Sequence, residues 1–399
     1  MSRAGIARRT WGTVAVLMTF AAALDVGCGL LPTPSLPPVS SATPSSPEAS
    51  PRPTASELAD PAMGWTLVTT GDPTSAMQFN AVAAVPDGFV VAGSTGQAGE
   101  NPVAIHSTDG ASWMAEDISG RAGMSPRFLV PWVDGLLVTG GGQSSRCAHP
   151  GGEMASWVRA ADGTWAQGPF NPVLCAGGPV TPVIHDGRPW LVGSGVADVP
   201  FLMDSADGLT WADHPERLGD VFVQSGFSAA GDLWVVARAP DGSALILRSP
   251  DGVRFDRTPL VAAGGKPVEV IAAVALRDRA VLLVNDGSSI GTLTSDGSGG
   301  WLETGVSGLP QVELVSVTVA DDHLIALGSA EDKPQRAWSS ADGSSWSAVE
   351  LPGEVTPGAT VRAIAIANGI AVLVGQIEAP DGSIMVGAIW TGPAGLLAP

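Results

Sequence analysis

The sequence predicts an all-β protein, a seven-bladed β-propeller of four-stranded antiparallel blades that follows a signal peptide and a disordered linker. The chain has 399 residues, with 51 glycines, 33 prolines and only 15% charged residues, which is unlike the composition of coiled coils and helical bundles. A motif that joins an Asp-Gly turn to a following aromatic residue recurs along the chain, among short alternating strands. Repeats at intervals of roughly 45 residues are typical of propeller blades.

The charge balance excludes one class of partner. The formal net charge is −19, from 20 Lys and Arg against 39 Asp and Glu. Lys266 and Lys333 are the only lysines, and the arginines are scattered, so the chain offers no basic patch to a phosphate backbone. We therefore expect no nucleic-acid partner.

The recurring motif defines the repeat. Its copies read STDGASW from Ser107, AADGTW from Ala160, SADGLTW from Ser205, SPDGVRF from Ser249, TSDGSGGW from Thr294 and SADGSSW from Ser340. The aspartates are residues 109, 162, 207, 251, 296 and 342, so successive copies lie 44 to 53 residues apart. Each copy is expected to join the third strand of a blade to its fourth.

A second tight turn is expected between the first two strands of every repeat. Asp, Asn and Gly tolerate the positive φ angles of tight hairpin turns, and pairs of mostly these residues separate the apolar runs. The seven pairs are Asp87-Gly88, Asp134-Gly135, Asp186-Gly187, Gly231-Asp232, Asp278-Arg279, Asp321-Asp322 and Asn368-Gly369.

The aromatic residues indicate how the ring closes. An aromatic follows every Asp-Gly turn of the motif, at Trp113, Trp165, Trp211, Phe255, Trp301 and Trp346. Trp65 precedes the first of them by 113 − 65 = 48 residues, whereas the last repeat ends near Thr391, where its fourth strand should begin. We expect residues 64–68 to supply that strand, which would close the ring and remove a free sheet edge.

These repeats resemble the Asp-box (BNR) family of sialidase-like propellers, which includes sialidases, glucan-cleaving hydrolases and non-enzymatic assembly factors. The resemblance covers residues 65–391. The family box reads Ser-x-Asp-x-Gly-x-Thr-Trp, whereas Asp and Gly are adjacent here, as in Asp207-Gly208. The resemblance implies that the Asp-Gly turns lie on one face of the ring. It also implies that the loops between strands two and three share the opposite face, where family ligands bind, with the blade-to-blade loops.

The N-terminal region predicts export. Arginines precede an apolar stretch over residues 11–24, which is too short to span a bilayer comfortably. The segment Asp25-Val26-Gly27-Cys28 resembles a bacterial lipoprotein signal, with Asp25 where the family has an aliphatic residue. The resemblance implies a signal peptide over residues 1–27 and a lipid on Cys28. The alternatives are ordinary cleavage near residues 21–23 and an uncleaved anchor.

The remaining boundaries follow from composition. Residues 28–63 are dominated by Pro, Ser, Thr and Ala, a composition that cannot bury enough surface to fold, so we expect a disordered tether. The propeller should occupy residues 64–392, with a C-terminal tail over residues 393–399. Localisation at the outer face of the cell membrane is expected, with secretion as the alternative.

The longest predicted loop belongs to the second blade. It carries Arg146, Cys147, His149 and Glu153 between strands two and three, and Cys175 follows in the next blade-to-blade loop. Two such cysteines in an exported protein predict a disulfide, with a metal or redox pair as alternatives. The bridge would hold a Gly-rich loop at the ligand face, so we include Arg146, His149 and Glu153 among the candidate ligand-binding residues.

Three residues near the starts of first strands are also candidates. Asn80, Arg127 and Arg362 belong to the first, second and seventh blades, which are neighbours in a closed ring. With Arg146 they would form an anion-binding notch on an acidic protein. The more common arrangement, which we expect first, is that each arginine pairs with a neighbouring carboxylate.

These features predict a non-catalytic binding or scaffolding module at the cell surface, for a protein or a glycan. The alternative is a glycoside hydrolase or lyase acting on extracellular polysaccharide, which would need paired loop carboxylates. A sialidase with a tyrosine nucleophile is excluded because the chain contains no Tyr. We expect a monomer with no cofactor, no metal and no assigned catalytic residue. The loop-face acidic residues are Glu100, Glu153, Asp198, Glu269, Glu313, Glu331 and Glu378.

Overall fold

A computed structural model describes most of the chain after residue 63. The described residues are 64–68, 77–96, 101–118, 120, 123–133, 135–142, 146–147, 152–175, 180–195, 199–262, 265–287, 289–297, 300–329, 335–352, 359–378 and 385–398. Contacts divide the chain into two compact units, Met1–Arg52 and Pro53–Pro399, and all described residues belong to the second. The predicted signal peptide, Cys28 and the tether lie outside the described residues.

The described residues form β-strands joined by turns, loops and short 3-10 helices. The strands of the first four repeats follow β1 (Thr66–Val68) and are β2 (Met77–Val85), β3 (Gly88–Thr95), β4 (Asn101–Ser107), β5 (Met114–Glu116), β6 (Met124–Trp132), β7 (Gly135–Gly142), β8 (Glu153–Arg159), β9 (Trp165–Gln167), β10 (Val180–His185), β11 (Arg188–Ser194), β12 (Pro200–Asp204), β13 (Ala212–Asp213), β14 (Phe222–Ala229), β15 (Asp232–Arg238), β16 (Ala244–Ser249) and β17 (Asp256–Pro259).

Three further repeats complete the domain. Their strands are β18 (Glu269–Leu276), β19 (Arg279–Asn285), β20 (Ile290–Ser295), β21 (Trp301–Gly305), β22 (Glu313–Ala320), β23 (His323–Ser329), β24 (Arg336–Ser340), β25 (Ser347–Val349), β26 (Thr360–Ala367), β27 (Ile370–Glu378) and β28 (Met385–Pro393). The 3-10 helices lie at Pro172–Leu174, Pro215–Arg217 and Ala394–Leu397.

The strands pair into seven antiparallel four-stranded sheets, so the predicted fold class is confirmed. Blades one to six each consist of four consecutive strands, from β2–β5 to β22–β25, and the seventh has the order β1-β28-β27-β26. The first strand of every repeat lies at one end of its sheet, and these first strands contact one another around the ring. We call them the inner strands. They surround the central channel.

The two ends of the domain meet in blade seven. β1 pairs antiparallel with β28, with Thr66 opposite Thr391 and Val68 opposite Ile389. The Trp65 ring is buried, and its Nε1 donates a hydrogen bond to the Glu350 carbonyl oxygen at 3.3 Å. The predicted closure of the ring is therefore confirmed. β1 covers the edge of β28 and gives blade seven the same four strands as the other blades.

The hydrophobic core lies between adjacent blades rather than inside any one of them. One cluster joins Phe79 and Val91 of blade one to Val372 and Ile389 of blade seven. Both faces of every sheet are covered by neighbours, which is why the second strands read as nearly continuous apolar runs in the sequence. The C-terminal helix adds Leu397 to a cluster that also contains Trp65.

A β-bulge interrupts the inner strand of six blades. The extra residue falls between Phe79 and Ala81 in blade one, and the bulges of the described inner strands lie at Asn80, Arg127, Gln224, Ile271, Val315 and Arg362. The described part of β10 pairs with β11 without a register shift. Since each bulge lies near the start of its strand, all six residues stand at the same end of the channel. A bulge changes the direction of nearby side chains relative to the alternation of a regular strand.

Two blades are also joined by a buried ion pair. Arg159 of blade two binds Glu116 of blade one through Nε and Nη2, with a shortest distance of 2.6 Å, and this hydrogen bonding raises the pKa of Arg159. Trp165 Nε1 donates to Glu116 Oε2 at 2.8 Å. Because the carboxylate is fully engaged by blade two, it serves packing between the blades.

Among the described residues, no helix has both the length and the apolar character needed to cross a bilayer.

Replacement of Trp65 by alanine tests the closure. Trp65→Ala should lower the free energy of unfolding by about 3–5 kcal/mol, because it removes a buried ring beside the closing strand. Urea denaturation followed by circular dichroism measures the change. Val253→Ala, at an exposed turn position, is the matched control and should change stability by less than about 0.5 kcal/mol. A loss below about 1 kcal/mol for Trp65→Ala would show that ring stability does not depend on this seam.

Candidate ligand-binding site at the channel mouth

Strand direction gives the ring two different faces. Turns between strands one and two and between strands three and four lie at one end, which we call the turn face. The other connections lie at the opposite end, the loop face. Inner strands begin at the loop face, so residues at their first positions surround the channel mouth there.

The motif aspartates lie on the turn face and cap their own turns. Asp109 Oδ1 accepts hydrogen bonds from the Ala111 and Ser112 backbone N–H groups at 2.8 and 2.7 Å and from the Ser107 hydroxyl at 3.1 Å. The backbone donors of Ser112 and Ala111 contribute most, and with the hydroxyl they lower the pKa of Asp109 to about 2. Asp207, Asp251 and Asp342 make equivalent bonds. Such a carboxylate stays ionised at neutral pH and acts as a turn cap rather than an acid.

The loop face brings together two of the predicted site residues. Arg362 Nη1 donates to Asn80 Oδ1 at 2.6 Å, and its Nη2 donates to Gln376 Oε1 at 2.8 Å. Asn80 is held in turn, because its Nδ2 donates to Ser125 Oγ and to the Pro126 carbonyl oxygen, both at 2.9 Å. These hydrogen bonds hold the guanidinium group of Arg362, in blade seven, against the amide of Asn80, in blade one. They also hold that amide against the beginning of the inner strand of blade two.

Arg127 is the second cation of this arrangement. It is the bulge residue of β6 and is exposed. Burial, and then the like charge of Arg127, lower the pKa of Arg362. Within the described ranges, neither arginine has a carboxylate oxygen within 4.0 Å. The expected pairing of each arginine with a carboxylate is therefore not found here.

Neutral partners leave the positive charge of the site uncompensated. An amide oxygen orients a guanidinium without cancelling its charge, whereas a carboxylate would do both. Two like charges so placed repel each other, and an anion bound between them would remove that repulsion. The chain as a whole carries a net charge of −19, so two arginines without a carboxylate partner among the described residues are a local exception.

The second-blade loop is tied down as predicted. A disulfide joins Cys147 to Cys175, with a Cα–Cα distance of 5.3 Å. The guanidinium of Arg146 lies over the Phe170 ring, 5.5 Å from its centroid, so this loop also contacts the segment that connects blades two and three. His149 lies outside the described residues. No contact joins Arg146 to Asn80 or Arg362 in the part of the chain that the structure describes.

The four candidate carboxylates that the structure describes do not form a recognisable pair. Glu153, the first residue of β8, is buried, and Glu269 binds Arg238 at 2.6 Å. Glu313 and Glu378 are exposed at the ends of different strands. Glu100, Asp198 and Glu331 lie outside the described residues.

A separate cavity of about 300 Å³ lies on the turn face of blade three. The Asp204 carboxylate there already has partners. One of its oxygens lies 2.7 Å from Arg188 Nη1, and the other lies 2.9 Å from His214 Nε2. Across the described residues, no group of three or more His, Cys, Asp or Glu side chains is arranged to hold a metal ion.

Sequence reasoning missed Gln376 and the bulges themselves. A signal was present, because a glycine lies opposite the bulged segment in blades one and seven. A Cβ on Gly93 would collide with the Gln78 carbonyl oxygen, and one on Gly375 with that of Thr360. A glycine in the second half of a second strand therefore permits the close approach of a bulged inner strand.

Comparison with solved structures supports the fold alone. A prolyl endopeptidase matches with a TM-score of 0.50 and 14% identity, over 80% of this chain and 50% of its own. A sialidase of Trypanosoma rangeli has a TM-score of 0.43 at 10% identity over 72% and 56% of the two chains. The six-bladed fucose-binding lectin of Aleuria aurantia has a TM-score of 0.41 at 12% identity over 71% and 97%. This chain spans about half the length of the prolyl endopeptidase.

No protein-family model matches the chain, and no curated protein does so either.

Removal of the disulfide tests its role at the loop face. Cys147→Ser should lower the free energy of unfolding by about 2–4 kcal/mol, since the bridge closes a segment with a sequence separation of 28. The ring should remain folded, because its cores lie between blades, and limited proteolysis should cut first in the freed loop. Cys175→Ser should behave identically. An unchanged proteolysis pattern in both variants would show that the bridge does not restrain the loop.

Proposed function

We propose that this chain is an exported, lipid-anchored β-propeller that works as a non-catalytic binding or scaffolding module at the cell surface. Its ligand is a protein or a glycan, recognised at the loop face through an anionic group. The observation that carries the proposal is the pair Arg127 and Arg362. Two amide groups orient Arg362, and neither arginine has a carboxylate oxygen within 4.0 Å among the described residues.

The site is suited to binding because its parts are already in position. Arg362 is exposed but held through two nitrogens, so little side-chain entropy remains to be lost when an anion arrives. Charge-assisted hydrogen bonds to a ligand contribute about 1.5–3 kcal/mol each. Two guanidinium groups therefore provide enough for selective recognition of one anionic group.

The described domain begins at the turn face. β1 runs antiparallel to β28, which ends at the turn face, so β1 begins there, at the end of the ring opposite the channel mouth. The proposed tether would therefore be attached to the ring at the turn face.

The enzyme alternative needs a different arrangement. A glycoside hydrolase uses two carboxyl groups about 5–9.5 Å apart across a cleft. In the described part of the loop face, Glu269 is already ion-paired and Glu153 is buried. The fold is shared by hydrolases and lectins and does not by itself choose between the two functions. The site geometry favours binding.

A pull-down from cell envelopes tests the binding function. The full-length chain should capture a partner that the Arg127→Gln/Arg362→Gln double variant fails to retain, because each charge contributes about tenfold or more to affinity. Arg254→Gln removes one charge from an exposed turn-face arginine and should retain the partner. Equal capture by the wild type and the double variant would contradict an anion site at the mouth.

The proposed anchor is tested at Cys28. Cys28→Ala should move the protein from the membrane fraction to the soluble fraction, because the thioether that carries the lipid can no longer form. Mass spectrometry of the mature N-terminus gives a second measurement. Ser35→Ala, in the tether, is the control and should stay with membranes. Unchanged partitioning of Cys28→Ala would rule out the lipid anchor and favour secretion or an uncleaved signal.

A further inference from the structure

Side chains from four consecutive blades form an arc around part of the channel mouth. Blade six contributes Val315, blade seven Arg362, blade one Asn80, and blade two Arg127 with its neighbour Phe128. The inner strands of these blades are adjacent in the ring. The arc therefore has a cationic centre with an apolar side chain at each end.

The apolar ends of the arc are unusually exposed for inner strands. Large apolar side chains are exposed at ten described positions, and Phe128 and Val315 alone among them lie on inner strands. Phe128 is 44% exposed and Val315 is 55% exposed. Both belong to bulged segments, where the ladder shifts register. The bulged segments that carry the arginines near the mouth thus also carry two exposed apolar side chains.

Most neutral polar groups of the arc are already occupied. Both Nδ2 hydrogens of Asn80 are used by Ser125 and Pro126, and its oxygen accepts from Arg362. The oxygen of Gln376 likewise accepts from Arg362, while its Nε2 is buried and has no hydrogen-bond partner among the described residues. The arc therefore offers an incoming ligand positive charge and apolar surface, with few free neutral donors and acceptors. A sugar requires many such partners for its hydroxyl groups.

We propose that the channel mouth binds a carboxylate joined to an apolar group, as at the C-terminus of a polypeptide that ends in an apolar residue. The inference rests on the proposed function and specifies its ligand. The carboxylate lies between Arg362 and Arg127, and the apolar group contacts Phe128 or Val315. A free fatty acid presents the same chemistry, and the experiment separates the two sources.

Binding of short peptides to the full-length chain tests the carboxylate. Fluorescence polarisation would compare an N-terminally labelled pentapeptide that ends in leucine with a free carboxylate and the same peptide with a C-terminal amide. The free acid should bind at least about tenfold more tightly. Arg362→Gln and Arg127→Gln should each weaken its binding about 10- to 100-fold, and the turn-face control Arg254→Gln should not. Equal affinity of the acid and the amide would overturn the proposal.

A second peptide series tests the apolar group. Replacing the terminal leucine of the probe by serine should weaken binding several-fold, since the apolar contact is lost. Phe128→Ser and Val315→Thr should reduce the preference for leucine while leaving the preference of acid over amide intact. Both side chains are exposed, so the variants should fold with little loss of stability. A leucine preference that neither variant changes would overturn the placement of the apolar group.

Two competitors identify the source and separate this inference from the proposed function. If octanoate displaces the peptide at a comparable concentration, the site binds a carboxylate joined to an apolar group, and the ligand is assigned to fatty acids. If octanoate does not displace the peptide, the ligand is assigned to a polypeptide C-terminus. Polygalacturonate that binds through Arg127 and Arg362 while the free-acid peptide does not bind would overturn the inference and retain the anion site. Absence of any arginine-dependent binding would remove both.

Discussion

The antiparallel pairing of β1 with β28 is the contact on which the remaining structure depends. Each blade buries its two faces only against its neighbours, so an open arc of sheets would expose apolar faces at both ends. Closure by the first segment of the domain removes those ends. Closure also places blade seven beside blade one, so that blades seven, one and two follow one another around the ring.

The candidate site follows from that adjacency. Arg362 and Asn80 are 282 residues apart in the chain, yet they share a hydrogen bond at the channel mouth. The bulges add the second condition, because they place one residue of each affected inner strand out of the regular pleat. A closed ring of bulged strands thus assembles a site from single residues of several repeats, and variation at one bulge position changes the chemistry without disturbing the blade.

The contrast between the two faces explains how an acidic protein keeps a cationic site. Most turn-face aspartates are engaged locally, as Asp109 is with the backbone of its own turn and Asp204 is with Arg188. At the loop face, Arg362 is oriented by neutral amides instead. Among the described residues, no carboxylate neutralises the charge of Arg362 or Arg127.

The sequence by itself determined the repeat, the blade number, the closing strand and the Cys147–Cys175 bridge, because turn chemistry, aromatic spacing and cysteine placement are local signals that recur with a fixed period. It also placed Arg127 and Arg362 at the mouth. Only the tertiary structure decided that amides rather than carboxylates hold Arg362, and that Phe128 and Val315 are exposed. Hydrogen-bond partners across blades and the exposure of single side chains depend on how strands of different repeats pack, and no local pattern encodes that packing. For the bulges, the only sequence signal was a glycine in the facing second strand.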